Sequence, residues 1–276
     1  PQIKIAEKME YHARHSGIHA AGILVTDDPV SNYCSVSAQN GAAQIDKKDA
    51  EELNLLKIDA LGLRTLAVLQ DVLDQVGWSR DDLLNFPKDD KAALAVLNDE
   101  RYAGIFQFEG YALQSVTKQM QVHNFEDIVA ITALARPGPL NSGGTAEYIK
   151  RHTGEAPIKY LHPLAEEITK VTNGVVVYQE QVMEIGRKIG KLSWEDVSSL
   201  RKAMGRSLGQ EFFDTYFQRF KEGAAENGIE ENKARFIWDQ INTMGSWAFN
   251  RSHAVAYGMV SYWCCTLKSR FPLEFA

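Results

Sequence analysis

The sequence predicts an α+β protein, a small β-containing end followed by a mainly helical body. Strand candidates gather in roughly the first 60 residues, which read as mixed structure. From Gly62 onward the apolar spacing turns helical, and glycines and prolines punctuate the helices at short intervals. The 276 residues suffice for one large domain or two of about 150 each. The boundary is expected near Asp59 to Gly62, giving segments 1–60 and 61–276.

"IKIAEKMEYHARHSG" reads as a helix ending at Gly17. "AGILVT" is a short strand closed by "DDP", and "AAQID" and "LNLLKID" are two further strand candidates. Leu66, Leu69, Leu73 and Val76 then share one helical face, and Gly77 stops it. "AALAVLNDE", "GYALQSVTKQM" and "FEDIVAITALA" are further helices. "RPGP" ends the last of these, because proline has no N–H and keeps the residue before it out of the helical region. "GVVVYQEQVMEIGRKIG" begins as a strand or turn and continues as a helix. "SWEDVSSLRKAMG" opens with Ser193, and Asp196 stands three residues on, a capping box with a short acid, closed at Gly205. Helices follow at about 210–227 and 231–244, and a last apolar one at about 252–270 stops before Pro272. The acid pairs of "TDDP", "RDDL" and "KDDK" read as solvated turns, and there is no internal repeat.

Composition narrows the function classes. A chain with 45% hydrophobic and 24% charged residues can bury a real core. A net charge of -6 argues against a protein that coats DNA nonspecifically, while leaving local basic patches open. Cys34, Cys264 and Cys265 form no CxxC, which argues against a disulfide framework or a cysteine zinc site and fits a reducing compartment. No signal peptide is visible, and the longest uncharged stretch, Ala254 to Leu267, is shorter than the roughly 20 residues of a spanning helix. The chain starts at Pro1 and stops at "FPLEFA" in mid-pattern, as a piece of something longer would.

Four stretches concentrate chemistry. In "LLKIDALGLRTL" a lone acid, Asp59, sits where a strand gives way to a helix. By itself it reads equally as a helix cap or as a metal-binding carboxylate. Between Arg187 and Arg206 stand six basic residues (Arg187, Lys188, Lys191, Arg201, Lys202 and Arg206) against Glu195 and Asp196, a local charge of +4. That run is a candidate phosphate site or a solvated helix face. "FNRSHAVAY" packs Asn250, Arg251, Ser252, His253 and Tyr257 into a helix start, where backbone N–H groups favour anions. "ARPGPL" sets Arg136 on a proline-rich turn, facing DNA or an acid of the protein. Gln179 and Gln181 of "YQEQ" either reach a base or phosphate or bond a helix end. His12, His15 and His19 have a metal-like spacing, but Gly17 breaks it and no cysteine is near, so zinc is disfavoured.

Seven stretches in order resemble the C family of bacterial replicative polymerases, the alpha subunit of DNA polymerase III. They are "RHSGIHAAGILV", "LLKIDALGLRTL", "GIFQFEG", "FEDIVAITALARPGPL", "VVVYQEQVM", "LRKAMG" and "FNRSHAVAYGMVSYW", and they span nearly the whole chain. The resemblance implies that residues 1–60 are the C-terminal part of a polymerase-beta-like nucleotidyltransferase palm and that 61–276 are much of the fingers. It implies a DNA-directed DNA polymerase using two magnesium ions, with Asp59 as one of three metal-binding carboxylates. Lys57, on the same strand face, would meet a triphosphate oxygen. Arg201, Lys202 and Arg206 would lie near the incoming nucleotide, and Asn250, Arg251, Ser252, His253 and Tyr257 by its sugar and phosphates. Arg14 and Arg136 would lie near DNA.

The other two carboxylates belong to an upstream Pro-Asp-x-Asp-type motif, and no such motif occurs here. The chain is therefore expected to be inactive alone. Departures also appear: Lys202 stands where the family has a second arginine, and lysine lacks the bidentate fork. Ala60 replaces an aromatic and Ala21 a glycine. Implied partners are primer-template DNA, a deoxynucleoside triphosphate and, through regions outside this chain, a sliding clamp and other replisome subunits, in a bacterial or phage-infected cytoplasm and away from membranes. The alternative is a non-catalytic nucleic-acid or nucleotide-binding module of the same descent. A helical scaffold would leave Arg201, Lys202 and Arg206 dispersed or salt-bridged.

Overall fold

A computed structural model describes Met9 and residues 17–60, 62–206 and 210–276, the side chains of 205, 206 and 210 excepted. The expected helix ending at Gly17 lies outside the described residues, as do Arg14, His12 and His15. The chain forms two compact units, Pro1–Arg64 and Thr65–Ala276.

The first unit is built on two antiparallel strands, β1 (Gly22–Val25) and β2 (Leu56–Asp59). The register pairs Gly22 with Asp59, Ile23 with Ile58, Leu24 with Lys57 and Val25 with Leu56. Because side chains alternate, Ile23, Val25, Leu56 and Ile58 share one face and Lys57 and Asp59 the other. That apolar face is exposed, Leu56 by 59%. "AAQID" is not a strand: Ala43 makes only an isolated bridge to Val36. Its last residue, Asp46, instead caps α1 (Lys47–Glu52) by accepting the Asp49 N–H at 2.9 Å.

The second unit is helical, with two hydrophobic cores. The first gathers α2 (Arg64–Val76), α3 (Arg80–Leu84), α4 (Lys91–Asn98), α5 (Tyr111–Met120) and α6 (Phe125–Leu134). Leu69, Val72 and Leu73 form the inward stripe of α2, and Leu66, expected on that stripe, is exposed. The acids of "RDDL" and "KDDK" are also not loose turns. Ser79 and Asp82 cap α3 reciprocally and Asp90 caps α4. "RPGP" does end α6, but Pro137 at once starts a short helix, α7 (Pro137–Ser142), since a first-turn proline loses no hydrogen bond there. Then follow α8 (Gly144–His152) and α9 (Glu166–Thr169).

The second core is formed by α10 (Gln179–Gly190), α11 (Trp194–Arg206), α12 (Gln210–Glu226) and α13 (Glu231–Gly245). The Ser193–Asp196 capping box opens α11 as expected. Helices α10 and α12 meet at Gly190 and Gly223, where a Cβ on Gly223 would run into the Gly190 carbonyl oxygen. The last helix, α14 (Arg251–Arg270), packs on α6 and α4, and Gly258 lets it approach Val129 closely.

Candidate functional site

In the first unit, Asp59 ends β2, opposite Gly22. Lys57 Nζ approaches Asp59 Oδ1 at 2.8 Å and Oδ2 at 3.1 Å, so it grips both oxygens. His19 Nε2 lies 3.7 Å from Oδ1, and His19 Nδ1 accepts the Ala21 N–H at 3.2 Å, leaving the proton on the nitrogen that faces the carboxylate. Lys57 donation holds the Asp59 carboxyl below the usual carboxylate range, outweighing partial desolvation, with the charges of Lys57 and Lys47, and of His19 whenever its ring is protonated, adding to it. Gly22 leaves the room: a Cβ there would stand 2.9 Å from His19 Nδ1 and 3.0 Å from Lys57 Cε. The result is an exposed, ionised oxygen pair at the end of a strand. Among the described residues no hydrogen bond makes Asp59 a helix cap, and Leu61 lies outside them.

In the second unit, the start of α14 is a packed cluster. Asn250 is the cap: its Oδ1 accepts the His253 N–H at 2.8 Å. Glu180, from the first turn of α10, straddles the same helix end, accepting Asn250 Nδ2 at 3.0 Å and the Arg251 N–H at 2.9 Å. A parallel bridge between Tyr178 and Phe249 locks the two segments together. Arg251 Nη2 reaches Glu126 at 3.2 Å, and its guanidinium stands 5.7 Å from the ring of Tyr178. The Tyr178 hydroxyl is pushed well up, chiefly by burial. Ser252 is exposed and takes no part in the cap.

An aromatic column runs outward from that helix end. His253 stacks on Tyr257 at 4.1 Å between centroids, Phe249 meets His253 edge-on at 5.4 Å, and Tyr257 lies 5.3 Å from Phe106. Arg136 covers the ring at one end of the series, 4.0 Å above Phe249, while its Nε and Nη2 donate to the carbonyls of Ala133 and Trp247. Burial pulls the Arg136 guanidinium below its ordinary value. Among the described residues Arg136 thus touches backbone carbonyls and a ring, not an acid. Gln181 is likewise consumed internally: it accepts from Val177 and Tyr178 N–H and donates to Ile168 and Thr172.

The basic run is sorted by its surroundings. Arg187 stacks on Trp194 at 3.9 Å, Lys188 pairs with Glu167 at 3.2 Å and Lys191 with Glu226 at 2.6 Å. Arg201 and Lys202 are exposed on α11, and among the described residues no hydrogen bond or ion pair engages either. The Arg206 side chain lies outside the described residues. Asn250, Arg251, His253, Tyr257 and Arg136 are therefore brought together, and Arg201 and Lys202 stand apart as the uncommitted cations.

The family model of the bacterial DNA polymerase III alpha subunit finger domain matches residues 63–228, and that of the bacterial DNA polymerase III alpha NTPase domain matches 2–62. The chain belongs to the bacterial DNA polymerase III alpha subunit family. It is 37% identical over 279 residues to the DNA polymerase III subunit alpha of Aquifex aeolicus, covering 99% of this chain and 24% of that protein. It is 36% identical over 281 residues to that of Mycobacterium tuberculosis (98% and 24%) and 37% identical over 276 residues to that of Staphylococcus aureus (98% and 26%). The chain spans about a quarter of the length of these relatives. In this chain, Glu180, Glu126 and His19 are the residues sequence reasoning missed. Glu180 stands inside the quoted "YQEQ", but its use at a helix end some 70 residues away leaves no local signal. His19 was legible only as a disfavoured metal ligand.

Proposed function

We propose that the chain is the palm end, residues 1–60, and much of the fingers, from residue 61, of a DNA-directed DNA polymerase. The parent would add deoxynucleotides to a primer: the 3′-hydroxyl attacks the α-phosphate and pyrophosphate leaves. Asp59 carries the reading, as a single ionised carboxylate on a strand end, opposite a glycine and beside a lysine. Hard oxygen donors of this kind suit magnesium, which prefers oxygen ligands. Bound there, with two further carboxylates from outside this chain, magnesium would supply charge neutralisation at the attacking and leaving oxygens. Asp59 then holds its ligand atoms on a rigid element. Lys57, released from Asp59, is free to meet a triphosphate oxygen. The exposed apolar face of the two strands supports a place at the end of a larger palm, since two strands alone bury too little.

Arg201 and Lys202 are the cations for nucleotide or template phosphates, because among the described residues neither is spent on a protein acid, and the family resemblance adds Arg206, whose side chain lies outside those residues. Asn250, Arg251, Ser252, His253 and Tyr257 form the rim by the sugar and phosphates, and Arg136 and Arg14 lie toward DNA. Substrates are primer-template DNA and deoxynucleoside triphosphates. Sliding clamp and other replisome contacts fall to regions outside the chain, in a bacterial or phage-infected cytoplasm. No described helix is long and apolar enough to cross a membrane. The test is template-directed addition of one nucleotide by the whole protein that carries this chain, with magnesium. Incorporation is expected. Tight primer-template binding without incorporation would favour the non-catalytic module.

A further inference from the structure

We propose that His123, Asp127 and His152 form a site for a divalent transition-metal ion, with zinc the ion that fits the donors best. One ligand atom from each lies within 4.8 Å of the others. The site joins the α5–α6 connection to the end of α8, inside one compact unit. It is remote in kind from the carboxylate chemistry of Asp59, and it does not depend on the polymerase reading.

The hydrogen bonds around the cluster fix two of the three donors. Asp127 is buried, with its Oδ2 accepting the N–H of His123 at 2.7 Å and of Asn124 at 3.2 Å. Its Oδ1 is left over, and no described residue donates to it. His152, a half-buried residue whose side chain is 8% exposed, has Nε2 3.2 Å from the Gln121 carbonyl, an acceptor only, so Nε2 carries the hydrogen. With that hydrogen alone on the ring, the Nδ1 lone pair faces Asp127 Oδ1, 3.7 Å away. Two acceptors facing each other in a buried place call for a cation between them. A metal-binding histidine characteristically donates its other N–H to a backbone carbonyl, the arrangement seen at Gln121.

The third donor completes the set. The His123 ring stacks on His152 at 5.2 Å and 20°, and Tyr148 also stacks on His152, at 5.9 Å and 14°. These ring contacts hold the His152 plane, while His123 is exposed and no described residue hydrogen-bonds its ring. Tetrahedral zinc with bonds near 2.0–2.1 Å needs ligand atoms about 3.3 Å apart. Swinging His123 inward closes the difference, and its exposed side leaves the fourth position to water. Two imidazoles and one carboxylate suit zinc over magnesium or calcium, which prefer oxygen.

The competing account is a protonated His152 paired with Asp127 and no metal. The whole protein, stripped with chelator and kept in excess magnesium, would be loaded with Co2+ or Zn2+ and compared with His123→Gln. His123 caps nothing and is exposed, so the fold should survive; Asp127 variants would break the α6 cap and are not used. The expected result is one fewer bound ion in the variant, loss of the tetrahedral Co2+ absorption bands, and zinc affinity weakened at least about tenfold, since even outer-shell losses have that size. Equal stoichiometry and equal spectra would overturn the site. Should His123→Gln change the far-UV circular dichroism, protection of His123 in the unaltered protein from carbethoxylation by Zn2+ decides: protection supports the site and its absence overturns it.

Discussion

Glu180 accepts hydrogen bonds from both the Asn250 side chain, at 3.0 Å, and the Arg251 backbone, at 2.9 Å, so one carboxylate of α10 closes the N-terminus of α14. The negative charge also meets the positive end of the helix dipole. Glu180→Gln keeps one acceptor and turns a donor toward the Arg251 N–H. It is expected to lower stability by about 1–2 kcal/mol, the range for a charge-assisted bond. The measurement is the urea midpoint at constant slope, and an unchanged midpoint would remove the clamp from the account.

The Lys57–Asp59 pair has a titration signature. Its folded pKa is depressed, so this group's contribution to stability is present above the unfolded value of 3.8 and is lost as pH falls through the lower folded value. Asp59 is well exposed, so the effect is read on the carboxyl itself and not from global stability. The Asp59 carboxyl carbon shift should titrate below 3.8, and Lys57→Ala should move that midpoint upward. No movement would mean that the lysine does not set the charge state.

Arg201 and Lys202 separate binding from folding. With no partner among the described residues, their replacement by alanine should change stability by no more than about 0.5 kcal/mol. Primer-template binding should weaken, and the salt dependence should flatten by about 0.9 per lost phosphate contact. An unchanged salt slope would return both cations to a solvated helix face.

Gly223→Ala tests the α10–α12 crossing beneath α11. The new methyl meets backbone, the Gly190 carbonyl, which cannot rotate aside. A loss of about 2–3 kcal/mol, at the upper end of overpacking effects, is expected in chemical denaturation. A neutral result would show that the two helices separate freely.

Much of this was legible because local signals agreed with the fold. The Ser193–Asp196 box, the glycine stop at Gly77 and the apolar run of α14 each settle one element in a few residues. Asp59 and Lys57 could be put on one strand face by the two-residue period alone. What escaped depends on distant partners. "AAQID" has strand composition, but Asp46 serves the next helix. Leu66 matches the helical stripe, yet the core sits against Leu69, Val72 and Leu73. Six clustered cations look alike in sequence, and only their neighbours show that Lys188 and Lys191 are committed to Glu167 and Glu226 while Arg201 and Lys202 are not.

The most direct measurement is single-turnover addition of one nucleotide to a primer by the whole protein, Asp59→Asn against the unaltered form, in magnesium. The amide removes the charge and half of the oxygen donors while keeping the shape. The expected result is a rate at least about a hundredfold slower, equivalent to about 2.7 kcal/mol of lost transition-state stabilisation, with primer-template affinity and folding preserved. An unchanged rate would contradict the assignment of Asp59 as a metal-holding carboxylate and move the third carboxylate elsewhere in the protein.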